Sequence, residues 1–231
     1  MKLSIIIPVY NEEENLSQNL PHLCKQTEQF PIEIIVSNSP QTTDNSFTVC
    51  KKHAKVKVLH SEKKGRAQQM NFGAANASGS VLLFLHADVK LPPDFYTQVK
   101  TAVEDGFSFG FFAYQFDKRS TLLKLNSSFT KKNGIFVGGG DQCHFITKKY
   151  FMDLNGYNES YCIMEDFELV DRIKKQKTPF KIIQSKATVS ARKYKENSWL
   201  KVNLINAYVF LKYKLGCSPN HLRKTYASLL R

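Results

Sequence analysis

The chain has 231 residues, with 33 Lys and Arg against 20 Asp and Glu for a net charge of +13, 42% hydrophobic residues, 11 Gly and 8 Pro. This composition excludes collagen-like, low-complexity and disordered chains, and the length suits a single α/β core with a short appendage. The charge implies an anionic partner (nucleic acid, acidic lipid or a phosphorylated small molecule) without choosing among them.

Short apolar runs at 3–9, 32–36, 56–59 and 81–85 read as strands apolar on both faces, as in a mostly parallel sheet. The segments between them are helical in pattern. Residues 12–26 open with acids, 44–52 start at a plausible cap, and Ala67, Met70, Ala74 and Ala77 share one face before Gly79 stops the helix. Right-handed βαβ crossovers follow. Pro92-Pro93 opens a helix to about Glu104. An aromatic strand follows at 107–116, a helix at 121–132, and short strands at 135–137 and 143–147. Residues 165–175 are helical with Phe167, Leu169, Val170 and Ile173 on the apolar side, and 180–183 and 187–191 read as two short strands. Residues 199–216 form a helix, and Ser218-Pro219 caps a last one. On the 199–215 stretch, Lys201 and Lys212 make one polar stripe and Asn203, Asn206 and Lys214 another, with apolar arcs between them. Such a helix needs partners on two sides: the domain on one, and the final helix, a dimer mate or a membrane surface on the other.

Five separated cysteines form neither a CxxC pair nor a zinc spacing, which suits a reducing compartment. The apolar start is broken by Ser4 and Pro8 before it reaches signal-peptide length, and no stretch approaches a membrane span. The expected location is the cytoplasm, free or peripheral at a membrane. Lys and Arg are scattered, with no helix-turn-helix, zinc-finger or RNP pattern, so no nucleic-acid partner is expected.

In parallel sheets ligands sit at the carboxyl ends of strands, and here those ends are polar. They read Pro8-Val9-Tyr10-Asn11-Glu12-Glu13, Ser37-Asn38-Ser39 and His86-Ala87-Asp88. Neither a GxxxxGK[ST] loop nor a GxGxxG turn follows the first strand, so the P-loop and dinucleotide-binding readings lose their signatures. A divalent cation could hold a phosphorylated ligand instead, because Mg²⁺ or Mn²⁺ needs one or two protein carboxylates when phosphates complete its shell. Asp88, with His86 two residues earlier, is placed for that role.

The first and third of these segments, with Gly65-Arg66-Ala67-Gln68-Gln69-Met70-Asn71 and Met164-Glu165-Asp166, together resemble a family 2 glycosyltransferase of GT-A fold. His86-Ala87-Asp88, Gly140-Asp141-Gln142 and Ser190-Ala191-Arg192-Lys193-Tyr194 are most similar to the branch associated with radical-SAM and selenodomain proteins. The resemblance implies a GT-A catalytic domain over residues 1–192 and a helical extension over 193–231 packed on it. It implies an inverting transfer from a nucleotide-diphospho-sugar to an unknown hydroxyl acceptor, assisted by Mn²⁺ or Mg²⁺. Pro8, Tyr10 and Glu12 would border the nucleoside, Arg66 the sugar or phosphates, and Asp88 the cation, with His86 in place of a first Asp. Asn38 stands where the family usually carries an Asp at the nucleobase. Asp166 would be the base, while Asp141, Gln142, Glu165 and Arg192 would contact acceptor or sugar, and Gly138-Gly139-Gly140 would admit close backbone approach to a ligand. Alternatives are nucleotidyl transfer on a similar sheet, whose Lys/Arg-bearing glycine loop is missing after the first strand, and a catalytically weak nucleotide-sugar binder.

Overall fold

The apolar runs of the first half become parallel strands. In a computed structural model describing residues 1–135 and 137–230, β1 (Leu3–Val9), β2 (Ile32–Asn38), β3 (Val56–His60) and β4 (Val81–Phe84) pair in parallel in the order β3-β2-β1-β4. They are joined by α1 (Glu13–Gln26), α2 (Ser46–Lys51) and α3 (Arg66–Ala75). Alternation explains the continuous apolar runs. Ile5, Ile7, Ile34, Val36 and Leu83 enter the core on one face of the sheet, while Ile6, Ile35, Leu82 and Phe84 enter the core on the other.

The second half completes a sheet of eight strands among the described residues, in the order β3-β2-β1-β4-β7-β6-β8-β5. Its elements are β5 (Val89–Lys90), α4 (Phe95–Glu104), β6 (Phe109–Phe116), α5 (Thr121–Ser128), β7 (Phe145–Thr147), α6 (Lys148–Asp153), α7 (Glu165–Lys175), β8 (Lys181–Val189), α8 (Lys193–Glu196), α9 (Trp199–Lys214) and α10 (Pro219–Leu229). β7 runs antiparallel to β4 and β6, and β8 runs parallel to β6. Helices α1, α2 and α4 cover one face, and α3, α6 and α7 cover the other.

Three expectations change. The two short strands at 180–183 and 187–191 are one strand, β8, whose register slips where Phe112 faces Ile183 but Ala113 faces Lys186. The bulge carries Gln184 and Ser185, so the polar break in the sequence is extra chain rather than a turn. Second, α2 starts later than expected because Asp44 is not a simple cap. One of its oxygens accepts the amide and hydroxyl of Ser46, and the other accepts the Glu13 amide at the head of α1. Third, the strand expected at 135–137 falls on Phe136, outside the described residues.

The side chain of Gln69 fastens the edge of the sheet where ligands would sit. Its Nε2 donates to the carbonyls of Val9 and Ser37 at 2.8 and 2.7 Å, tying the ends of β1 and β2 to α3 from a buried position. Asn19 reaches from α1 to the Ala87 carbonyl at 2.6 Å, and Asn71 grips both backbone groups of Tyr157. Replacing Gln69 by Met keeps the bulk but removes both donations, so urea unfolding should show a loss of about 1–3 kcal/mol with an unchanged m-value.

Candidate active site

At the end of β1, Pro8 lies beside Ser37 in register and is half-buried, and Tyr10 points outward and is exposed. Asn11, at φ 52°, turns the chain and accepts the Thr43 amide at 2.8 Å, which joins the loops after β1 and β2. Glu12 donates its amide to Ser46 Oγ, and its carboxylate accepts Asn15 and faces Arg192 at 3.4 Å. At the end of β2, Asn38 is buried and its Oδ1 has no partner among the described residues. A buried amide oxygen without a donor is costly, and it marks a place where a ligand N–H would be accepted.

The loop after β4 supplies His86 and Asp88. His86 Nδ1 lies 3.5 Å from an Asp141 carboxylate oxygen, and Asp88 lies 3.1 Å from Arg192, which therefore spans Asp88 and Glu12. Met164, at φ 65°, precedes α7 and turns Glu165 and Asp166 into its first turn, where the helix N-terminus favours acids. Glu165 is 1% exposed and accepts Arg66 Nη1 at 3.0 Å. Thus Asp88, Arg192 and Glu12 form one group, and His86, Asp141, Asp166, Glu165 and Arg66 form a second beside it. Arg66 is where the sequence places it, at the start of α3. Left-handed non-glycine residues are uncommon, and Asn11, Cys143 and Met164 are all in loops that build this site.

Gly140 lies between the loops. A Cβ there would overlap the His86 ring and the Asp166 carboxylate, so the glycine makes room for the chain's own side chains, rather than for the ligand approach the triplet suggests. Gly138, at φ +92°, would meet Val170 in the same way. Gln142, expected at the acceptor or sugar, instead points inward. It accepts the Gly138 amide at 2.7 Å and donates to the Phe112 carbonyl at 3.1 Å, bracing the loop. Sequence reasoning also missed His144, which is 1% exposed. Desolvation lowers its pKa to about 4 despite its bond to Gly138, so it is neutral, with Nε2–H donating to the Gly138 carbonyl at 2.8 Å and Nδ1 facing Tyr157 Oη at 3.5 Å. Its signal was only its place two residues after Asp141-Gln142.

Charges in the cleft act in opposite directions. Burial works against ionisation of Asp141, but the His86 hydrogen bond and the charges of Lys193, His86 and Arg66 hold its carboxyl well below the usual range. Asp166 goes the other way. Desolvation, then the neighbouring Glu165 charge, raise its proton affinity against the pull of His86 and Arg66. A carboxylate of raised basicity beside a fixed anion and cations is able to take a proton in the neutral pH range. Among the described residues no three His, Cys, Asp or Glu side chains form a group that could hold a metal by themselves.

A mixed sheet with helices on both faces and polar strand ends gathered at one edge is the GT-A fold, and solved structures align with it over the chain's whole length. TarS from S. aureus in complex with UDP matches with a TM-score of 0.67 at 16% identity, covering 100% of this chain and 71% of that one. The mannosyltransferase PcManGT from Pyrobaculum calidifontis, in complex with GDP-Man and Mn²⁺, matches at 0.68 with 15% identity, covering 99% and 73%. The family described as Glycosyl transferase family 2 matches residues 4–163, and the chain belongs to it. Among curated proteins, an uncharacterized glycosyltransferase of Rickettsia bellii is 30% identical over 58% of this chain and 20% of its own length. A dolichol-phosphate mannosyltransferase of Pyrococcus furiosus is 32% identical over 46% of this chain and 31% of its own. The chain thus spans only a fifth to a third of these relatives.

The raised proton affinity of Asp166 has a consequence for stability. Between the ordinary carboxylate pKa and the raised native one, the folded state keeps a proton that the unfolded state has released, so stability falls as pH rises through that window. Asn cannot release a proton. The Asp166→Asn variant should therefore melt higher than wild type above neutral pH, and the gap should close toward pH ~4; thermal melts across pH measure it.

Proposed function

We propose that this chain is an inverting glycosyltransferase that moves a sugar from a nucleotide-diphospho-sugar to a hydroxyl acceptor, with Asp166 as the base. The observation that carries the reading is the buried Asp166 carboxylate at the head of α7, its basicity raised, beside Gly140, His86 and Arg66. As the acceptor oxygen bonds the anomeric carbon and the bond to the diphosphate breaks, the acceptor's proton passes to Asp166, and the nucleoside diphosphate leaves with the bonding electrons. Attack from the face away from the leaving group inverts the anomeric centre. Glu165 and Arg66, paired at 3.0 Å, hold the start of α7 and offer a cation toward the sugar or phosphates. Asp141 contacts the acceptor or the sugar, and the catalytic unit is residues 1–192, with α9 and α10 packed on it.

The donor class is supported by the UDP, UDP-GlcNAc and GDP-Man carried by the structural neighbours. Pro8, Tyr10 and Glu12 border the nucleoside, and Asn38, which can donate and accept where a carboxylate only accepts, presents its free Oδ1 to a base N–H. A divalent cation fits a single carboxylate whose other ligands come from the diphosphate, and Asp88 at the end of β4 is that carboxylate. Because His86 faces Asp141 rather than Asp88, it orients the site rather than serving as the main ligand. When bound, the cation would offset diphosphate charge as the leaving group departs. Arg192, 3.1 Å from Asp88, supplies positive charge at the same place from the chain itself.

The Asp88→Ala variant should lose the Mn²⁺-dependent gain in nucleoside diphosphate affinity while keeping its melting temperature, as titration calorimetry with and without Mn²⁺ would show. Affinity that still rises with Mn²⁺ to the wild-type extent would remove Asp88 from the cation site.

Asp166→Asn should leave donor affinity nearly intact and lower turnover by about a hundredfold or more. Turnover within a few-fold of wild type would transfer the base role to Glu165 or Asp141. Measuring the released product separates the reaction classes, because nucleoside diphosphate marks glycosyl transfer and pyrophosphate would mark nucleotidyl transfer.

A further inference from the structure

Of the two partners that α9 needs, one is inside the molecule. Ile205, Val209, Phe210 and Tyr213 bury against Phe167, Met164 and the α10 residue Leu222, and Val202 is buried on the same helix. The opposite arc stays open. Leu200, Leu204, Tyr208, Leu211 and Leu215 repeat every three or four residues on one side of α9 and its C-cap, and they are between 46% and 73% exposed. Helix α5 adds a second open stripe, Leu122, Leu125 and Phe129, each at least 47% exposed. The two helices touch where Asn126 donates to Asn203 at 3.0 Å, next in sequence to Leu125 and Leu204, so the two open stripes belong to helices joined at one contact. No helix among the described residues is long and apolar enough to cross a membrane, so the face is not part of a span.

Charge decides what covers it. Residues 118–135, which carry α5, hold five Lys or Arg and no Asp or Glu, and residues 197–230, which carry α9 and α10, again hold five and none. Of these ten cations only Lys214 has an ion pair among the described residues, with Asp171. A second copy docked about a two-fold axis would set this strongly basic surface against itself, whereas an anionic lipid surface complements it and accepts its leucines. We propose that the α5–α9 face docks on the surface of an anionic phospholipid bilayer, lying in the interface without spanning it. The proposal goes beyond glycosyl transfer and does not rest on it, since docking needs neither donor nor acceptor.

The test is flotation of the full chain with phosphatidylcholine vesicles and with vesicles containing phosphatidylglycerol, in the absence of nucleotide. Wild type should float with the anionic vesicles, be released by added salt and ignore the neutral ones. The Leu204→Glu/Leu211→Glu variant, and separately Leu125→Glu on the other helix, should partition about tenfold less or weaker at an unchanged melting temperature, because these side chains are exposed. Wild type that stays with the unbound fraction, binding that does not distinguish the two vesicles, or variants that float as wild type would overturn the proposal. A wild-type dimer that Leu204→Glu converts to monomer would overturn it too, and would assign the face to a second copy.

Discussion

Asp88, Asp141, Glu165 and Asp166 are brought close together at the carboxyl edge of the sheet, and their mutual repulsion in a partly dry cleft governs how the loops around them are built. Two of them are buried, and each unpaired buried charge would cost several kcal/mol. The chain answers with Arg66 on Glu165, Arg192 on Asp88 and His86 on Asp141. Asp166 has no ion pair among the described residues, and burial, then the neighbouring Glu165 charge, raise its proton affinity. The residue left least compensated is thus the one proposed as the base.

Holding those charges requires loops that do not relax. Gln69 and Asn71 on α3 and Gln142 and His144 around β7 spend their polar atoms on backbone groups of neighbouring loops. Gly140 leaves the space that His86 and Asp166 fill. The left-handed turns at Asn11, Cys143 and Met164 are each strained, and the packing of these braces holds them in place. Rigidity of this kind would keep the proposed base and donor site in register.

The C-terminal helices connect the cleft to the outside. Arg192, which bridges Asp88 and Glu12, is followed at once by α8 and then by α9, whose inner side packs on Met164 and Phe167 at the start of α7. The segment that seats Asp166 is therefore buttressed by the same helix that presents the open apolar face.

Much of the fold was legible because hydrophobic period is a local property: β1 to β4, α1, α3, α4, α7 and α9 follow directly from apolar runs and 3.6-residue faces. The family was legible too, from short motifs in order along the chain. β5 was missed because two residues carry no period, β8 was split because a bulge looks like a turn, and the placement of Asp44 and Gln142 was misread because a side chain reaching another loop leaves no trace in its own neighbourhood. The sequence by itself determined which residue types could carry the chemistry and roughly where along the strands they stand. Only the tertiary structure decided which carboxylates acquire cations, which one is left basic, and which side of α9 stays uncovered, because burial, charge pairing and packing depend on residues brought together from distant parts of the chain.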